Sequence, residues 1–173
     1  AREQGLDPGW VYGLMRQESR FVTAAKSNVG AQGLMQVMPS TGKWVASKLG
    51  LKNFSMAMLQ DPNQNVMLGT NYMRIILTGL ERHPVLASAA YNAGPGRAKR
   101  WKDAKPLEGA IYAETIPFSE TRDYVKKVMA NSIVYGALFD GQVSSLKDKL
   151  GVISARTASE GDNLGAEPNA GIE

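Results

Sequence analysis

A carboxylate set among apolar neighbours is the first feature of this chain that could do chemistry. Glu18 lies three residues beyond Met15, four beyond Leu14 and seven beyond Val11, so on a helix it shares their inward face. A carboxyl against apolar walls has its ionised form disfavoured, which raises its pKa and lets it act as a general acid near neutrality. The same residue could instead snorkel to solvent at the helix end, or pair with Arg20 or Lys26. Within about twenty residues follow Ser27, Asn28, Gly30, Gly33 and Gln36, interleaved with Leu34, Met35, Val37 and Met38 and closed by Pro39. Glycines at 30 and 33 permit backbone conformations and close approaches that a side chain would block. A shaped loop carrying polar groups beside a soft apolar wall suits a sugar, whose ring faces are apolar and whose rim needs hydrogen bonds. The plainer account of the same stretch is a Gly-rich connection whose methionines fill the core.

The elements that must position these groups read as helices. Asp7-Pro8 is an N-cap followed by a helix-opening proline, which starts a helix running to about Ser19 with Glu18 near its end. A second helix begins at Pro39, carries Trp44, Val45 and Leu49, and stops at Gly50. After a linker with a short turn, Asp61-Pro62 repeats the capping signal. Val66, Gly69, Met73, Ile76, Leu77 and Leu80 then keep helical spacing up to His83-Pro84, marking the long core helix. Pro84 opens the next helix, to Tyr91, and Asn92-Ala93-Gly94-Pro95-Gly96 marks a turn before a helix around Arg97 to Lys102. Residues 107 to 113 are less regular. Ile116-Pro117-Phe118 reads as extended, because a residue before proline avoids the helical region. Ser119 is the expected N-cap of the final helix, with Glu120 in its first turn and Tyr124, Val125, Val128, Met129, Ile133 and Phe139 on its apolar side. No period-2 strand stands out. One domain is expected over 1–153, and the stretch 154–173, poor in apolar mass, reads as a flexible tail.

Composition narrows the classes. A chain of 173 residues is enough for one domain with a real core. No apolar run approaches the roughly 20 residues of a membrane span, and no signal peptide opens the chain. The polar start Ala1-Arg2-Glu3-Gln4, without an initiator Met, reads as an excised fragment or a mature product. With no cysteine and a lone His83, a disulfide framework, a thiolate or histidine metal site and a Ser-His triad are all disfavoured, so no metal and no cofactor are expected. The formal charge of +4, with a pI near 9.3, is a mild positive bias. It could favour a polyanionic partner, a nucleic acid among others. The densest basic run, Arg97, Lys99, Arg100, Lys102 and Lys105 around Trp101, could line a strand-binding groove or be a solvated face.

Four segments, in order, carry a family resemblance: ESRF at 18–21, GAQGLMQVMPSTG at 30–42, AAYNAGPGR at 89–97 and ETIPFSETRDYVKKV at 114–128. Together they resemble the successive signatures of the soluble lytic transglycosylases, bacterial enzymes that cleave peptidoglycan, over roughly residues 5–140. The resemblance implies an all-α, lysozyme-like domain of the goose-type lysozyme superfamily with a substrate cleft. It implies glycan strands and muropeptides as partners, no nucleic acid, a periplasmic or cell-envelope location, and a large helical region preceding this domain in the full-length protein.

Residue by residue, the resemblance makes Glu18 the catalytic acid and then base. Ser27 falls near the acetamido group or C6 hydroxyl of the sugar, and Gln36 and Met38 fall in the groove wall with Met35 behind them. Tyr91 hydrogen-bonds at the reacting sugar, Asn92 shapes its turn, Glu120 binds saccharide or peptide across the cleft, and Tyr124 supports Tyr91 or the ligand. For Tyr91 and Tyr124 the alternative is core packing with a satisfied hydroxyl; for Glu120 it is stabilisation of a helix start. The implied reaction is non-hydrolytic cleavage between N-acetylmuramic acid and N-acetylglucosamine, closing a 1,6-anhydro ring. Two rivals stand beside it: a goose-type, lysozyme-like hydrolase that uses water, and a non-catalytic murein-binding module.

Overall fold

Two glycines of the first helix set the geometry of the domain. In a computed structural model, which describes residues 1–141 and 143–158, α1 (Pro8–Glu18) packs most extensively on α8 (Ser119–Asp140). A Cβ on Gly9 would come within 2.5 Å of the Ser132 carbonyl oxygen, and one on Gly13 within 2.8 Å of the Val128 carbonyl oxygen. The two backbones therefore approach as closely as only glycine allows. Since Gly9 faces Ser132 and Gly136 while Gly13 faces Val128, the helices run antiparallel. The C-terminal end of α1 is thereby delivered to the first turns of α8.

Around this pair stand α2 (Pro39–Lys48), α3 (Met56–Gln60), α4 (Pro62–Gly79), α5 (Pro84–Ala93), α6 (Pro95–Arg100), α7 (Gly109–Thr115) and α9 (Leu146–Leu150). The caps expected from sequence are made: the Asp7 carboxylate accepts from Gly9 N at 2.7 Å, and that of Asp61 from Gln64 N at 2.8 Å. α1 buries Trp10, Val11, Leu14 and Met15, each worth about 2 kcal/mol relative to exposure. Trp10 Nε1 donates to Ser88 Oγ at 2.9 Å, tying α1 to α5. The long core helix α4 packs on α5 and on α2.

Four local readings are corrected. Phe118, not Ser119, is the N-cap residue of α8, and no side chain caps that end. α8 is not the last helix, since α9 follows. The long core helix ends at Gly79, before His83. A short antiparallel pair also exists, β1 (Leu107–Glu108) against β2 (Val152–Ile153); two residues per strand are too few for period-2 alternation to register. Past the expected boundary at 153 the chain stays bonded to the body: Arg156 N donates to the Asp103 carbonyl at 2.7 Å, and Ser154 Oγ to Glu81 Oε1 at 2.8 Å. The rest of the expected tail, 159–173, lies outside the described residues.

Candidate active site

Glu18 is the last residue of α1, and the chain leaves the helix at once. Arg20 and Phe21 both take left-handed backbone conformations, with φ of 52° and 65°, costing on the order of 1–3 kcal/mol each outside glycine. Ser19 holds this reversal: its hydroxyl donates to the Leu34 carbonyl at 2.8 Å and accepts from Phe21 N at 3.1 Å. The end of α1 is thus bonded to the loop that carries the next functional groups.

That loop is braced from inside. Gln32 and Val37 exchange backbone hydrogen bonds, and Ser27 pairs with Ala31 through both its backbone N–H and its hydroxyl, which accepts from Ala31 N at 2.9 Å. Gln36 gives its amide hydrogens to the Ala25 and Gly33 carbonyls, at 3.1 and 2.9 Å, so its amide oxygen is what it can offer a ligand. The buried Asn65 of α4 holds the loop from behind. Its Oδ1 accepts from Met35 N at 2.9 Å, and its Nδ2 donates to the Gln32 and Leu59 carbonyls at 2.7 and 2.9 Å. A Cβ at Gly33 would lie 2.3 Å from Asn65 Nδ2, so glycine is required there.

These elements enclose a cavity of about 390 Å³. It is lined by Glu18, Ser27, Gln36, Met38, Tyr91, Asn92, Glu120 and Tyr124, all residues singled out from the sequence. Met35 is the exception: its side chain is fully buried with its sulfur against Gly69 and does not line the cavity. It takes part through its backbone, since Tyr91 Oη donates to the Met35 carbonyl at 2.8 Å. Asn92 lines the cavity with its Oδ1 buried and unpartnered among the described residues. Sequence reasoning missed Thr41 and Tyr72, which also line the cavity, and Asn65 behind it. Thr41 lay inside a quoted motif, and Asn65 and Tyr72 lay on the correctly placed core helix. What signalled their roles was only that polar groups recur on its buried side.

Glu18 is only partly exposed. Desolvation pushes its carboxyl up to about 8; the hydrogen bond from Tyr124 Oη, at 2.5 Å, works against this, and the charge of Glu120 works with it. The negative pole of α1 lies at the same end and also disfavours the carboxylate. Burial likewise raises the hydroxyls of Tyr91 and Tyr124 well above the ordinary tyrosine value, so both act as neutral donors. The cavity therefore holds a carboxylic acid that can give up its proton and, once ionised, has a phenolic donor to steady it. Among the described residues no cluster of His, Cys, Asp and Glu is arranged to hold a metal ion.

The family model for the transglycosylase SLT domain matches residues 1–111. The chain belongs to the SLT transglycosylase family. A second model, for the soluble lytic transglycosylase helical domain, matches residues 115–143, which include α8 up to its end. The soluble lytic murein transglycosylase of Escherichia coli strain K12 is 39% identical over 133 residues, covering 75% of this chain and 21% of that protein. Among solved structures, an inactive glutamate-to-glutamine mutant of the lytic transglycosylase Slt from Pseudomonas aeruginosa superposes with a TM-score of 0.78 at 42% identity, over 83% of this chain and 24% of that one. The 70 kDa soluble lytic transglycosylase of Escherichia coli superposes with a TM-score of 0.71 at 34% identity, over 88% and 24%. The fold is that of the SLT domain, mostly helical and lysozyme-like. This SLT chain spans about a fifth of the length of the curated relatives it matches first, and none of its described helices is long and apolar enough to cross a membrane.

Proposed function

We propose that this SLT domain is a peptidoglycan lytic transglycosylase in which Glu18 acts as acid and then as base. The observation that carries the reading is the environment of Glu18: a half-buried carboxyl raised to about 8, opening on the large cavity and bonded to a neutral tyrosine. Such a group is protonated in most molecules near neutrality yet ionises readily, as one residue needs in order to serve both steps. In the first step Glu18 gives its proton to the glycosidic oxygen between N-acetylmuramic acid and N-acetylglucosamine, and the C1–O bond breaks. The substrate's own acetamido group stabilises the electron-poor C1. In the second, the Glu18 carboxylate takes the proton from the C6 hydroxyl, whose oxygen bonds to C1 and closes the 1,6-anhydro ring. The proton count is restored, and no water is consumed.

Ser27 and Gln36 supply polar contacts along the glycan, Met38 an apolar one, and Tyr91 and Asn92 flank the reacting sugar. Tyr91 Oη has its proton on Met35, so toward a ligand it accepts rather than donates. The buried, unpartnered Asn92 Oδ1 is an acceptor awaiting an N–H. The relatives' names point to murein, and the Pseudomonas neighbour inactivated by a glutamate-to-glutamine change supports a carboxylate at the heart of the reaction. The place of action would be the cell envelope, where murein lies. One observation favours a second reading: Glu120 lines the same cavity and its charge reaches Glu18, so a carboxylate is present that could direct water, as in a lysozyme-type hydrolase. Mass spectrometry of the products released from murein sacculi decides. Muropeptides one water lighter than hydrolytic products, lacking a reducing end, are expected; reducing-end products would transfer the assignment to hydrolysis.

A further inference from the structure

The basic run Arg97 to Lys105 is not one solvated face. Arg97 lies over the Phe118 ring, 5.2 Å from its centroid, and Lys102 is buried against Glu81. Lys99 faces elsewhere: it lines a second cavity of about 160 Å³, walled by Trp44, Tyr72, Ile75, Ile76, Leu80 and Pro95. No acidic residue lines this cavity, and Lys99 forms no ion pair among the described residues. A second cation stands by, with Lys48 Nζ 5.7 Å from the Trp44 ring centroid. Apolar walls with positive charge beside them suit an aliphatic group that bears a carboxylate.

The cavity is also joined to the cleft. Tyr72 lines both. Its ring lies edge-on to Trp44 at 6.3 Å and 5.3 Å from Tyr91, so the ladder Trp44, Tyr72, Tyr91 leads from the second cavity to the hydroxyl beside Met35. We propose that this second cavity receives the carboxylate end of a peptide borne by the glycan strand, a small aliphatic side chain entering between Trp44, Ile76 and Pro95 while the carboxylate meets Lys99. The proposal rests on the transglycosylase reading of the neighbouring cleft and extends it from the sugar to the peptide. It gives the enzyme a means of selecting strands by what their peptides end in.

The probes are a short synthetic peptide ending in alanine with a free carboxylate, and the same peptide with that end converted to an amide. Nuclear magnetic resonance should show saturable shifts of the Trp44 indole and of residues 95–99 with the acid. The amide, and the acid with Lys99→Met, should each bind about tenfold more weakly, as expected when one charge pair is lost. Equal binding of acid and amide, shifts located elsewhere, or no shifts at all would overturn the site. In parallel, the ratio of kcat/KM on peptide-bearing strands to that on strands stripped of peptide should fall about tenfold in Lys99→Met, and an unaltered ratio would also overturn it. If the wild-type chain cleaves neither substrate, the catalytic reading fails on its own, while the resonance experiment still decides the peptide site.

Discussion

Glu18 ends α1 facing the main cavity, and Glu81 sits in the turn between α4 and α5; both carboxyls lose solvation, with opposite results. At Glu18 desolvation dominates, because the partner within reach is the neutral Tyr124 hydroxyl at 2.5 Å, and the carboxyl rises to about 8. At Glu81 desolvation also pushes upward, but the ammonium of Lys102 at 2.5 Å and the Ser154 hydroxyl outweigh it and hold the carboxyl below its ordinary value. A full counter-charge makes a carboxylate a permanent anion and a structural tie, here joining the turn to the segment after α6 and to the chain beyond β2. A neutral donor leaves the proton transferable. The two glutamates differ in both burial and partner: Glu18 is the more buried and has a neutral donor, whereas Glu81 is largely exposed and has a full counter-charge.

The largest effect should come from removing that transferable proton. Glu18→Gln keeps the shape and should lower murein cleavage by at least about a thousandfold while glycan binding persists, since the proposed reaction uses this one residue as both acid and base; near-full residual activity would move the acid elsewhere. The same variant reads the pKa directly. Because the folded-state value of about 8 lies above the ordinary 4.5, the native state holds an extra proton between those values. The stability this proton confers is complete below about 4.5 and is lost as pH rises through about 8, amounting to a few kcal/mol, roughly. The wild-type Tm should therefore fall relative to that of Glu18→Gln between pH 5 and pH 9. Parallel curves for the two proteins would mean that Glu18 is solvated like an ordinary surface carboxylate.

Tyr124→Phe sharpens the comparison by taking away even the neutral donor. Cleavage should drop about ten- to a hundredfold, because the ionised Glu18 of the second step loses its hydrogen bond. Since that bond lowers the Glu18 value, its loss should move the alkaline limb of the pH–rate profile upward. A profile that stays in place would show that Tyr124 packs beside Glu18 without steadying its charge.

These two glutamates were not equally legible in the sequence. Glu18 could be read because Val11, Leu14 and Met15 put it on an inward face, and all three are buried. The helices opened by Asp7-Pro8 and Asp61-Pro62 were legible for the same local reason, their caps being made within a few residues. Glu81 was not, because the contact that gives it meaning joins positions 81, 102 and 154, and Lys102 looked like one member of a solvated basic run. Asn65 escaped for a similar reason: its three hydrogen bonds reach residues 32, 35 and 59, set by tertiary packing alone. The close contact of Gly9 and Gly13 with α8 went unread, because nothing local to α1 says which helix packs against it. Local capping and periodicity were readable; long-range partners became visible only through the four motifs of the family resemblance, which named most of the cavity wall but also Met35, whose side chain turns into the core.

The smallest effects should separate the two ends of the Glu81 tie. Lys102 is almost wholly buried, with 1% of its side chain exposed, whereas 38% of the Glu81 side chain is exposed. Removing Glu81 takes the carboxylate from a buried ammonium that still donates to Ser154 Oγ at 3.1 Å, and removing Lys102 leaves a carboxylate that can turn to water. Glu81→Ala should therefore destabilise the domain by about 2 kcal/mol, below the full figure for a buried pair because Glu81 is partly solvated, and Lys102→Met by clearly less. Chemical denaturation of the two variants and of the double variant measures both losses and their coupling. In each, the pH–rate profile set by Glu18 should keep its position, because the tie acts on stability and not on the transferable proton. The reverse order of losses would mean that the Lys102 stem holds the domain through packing rather than through its charge.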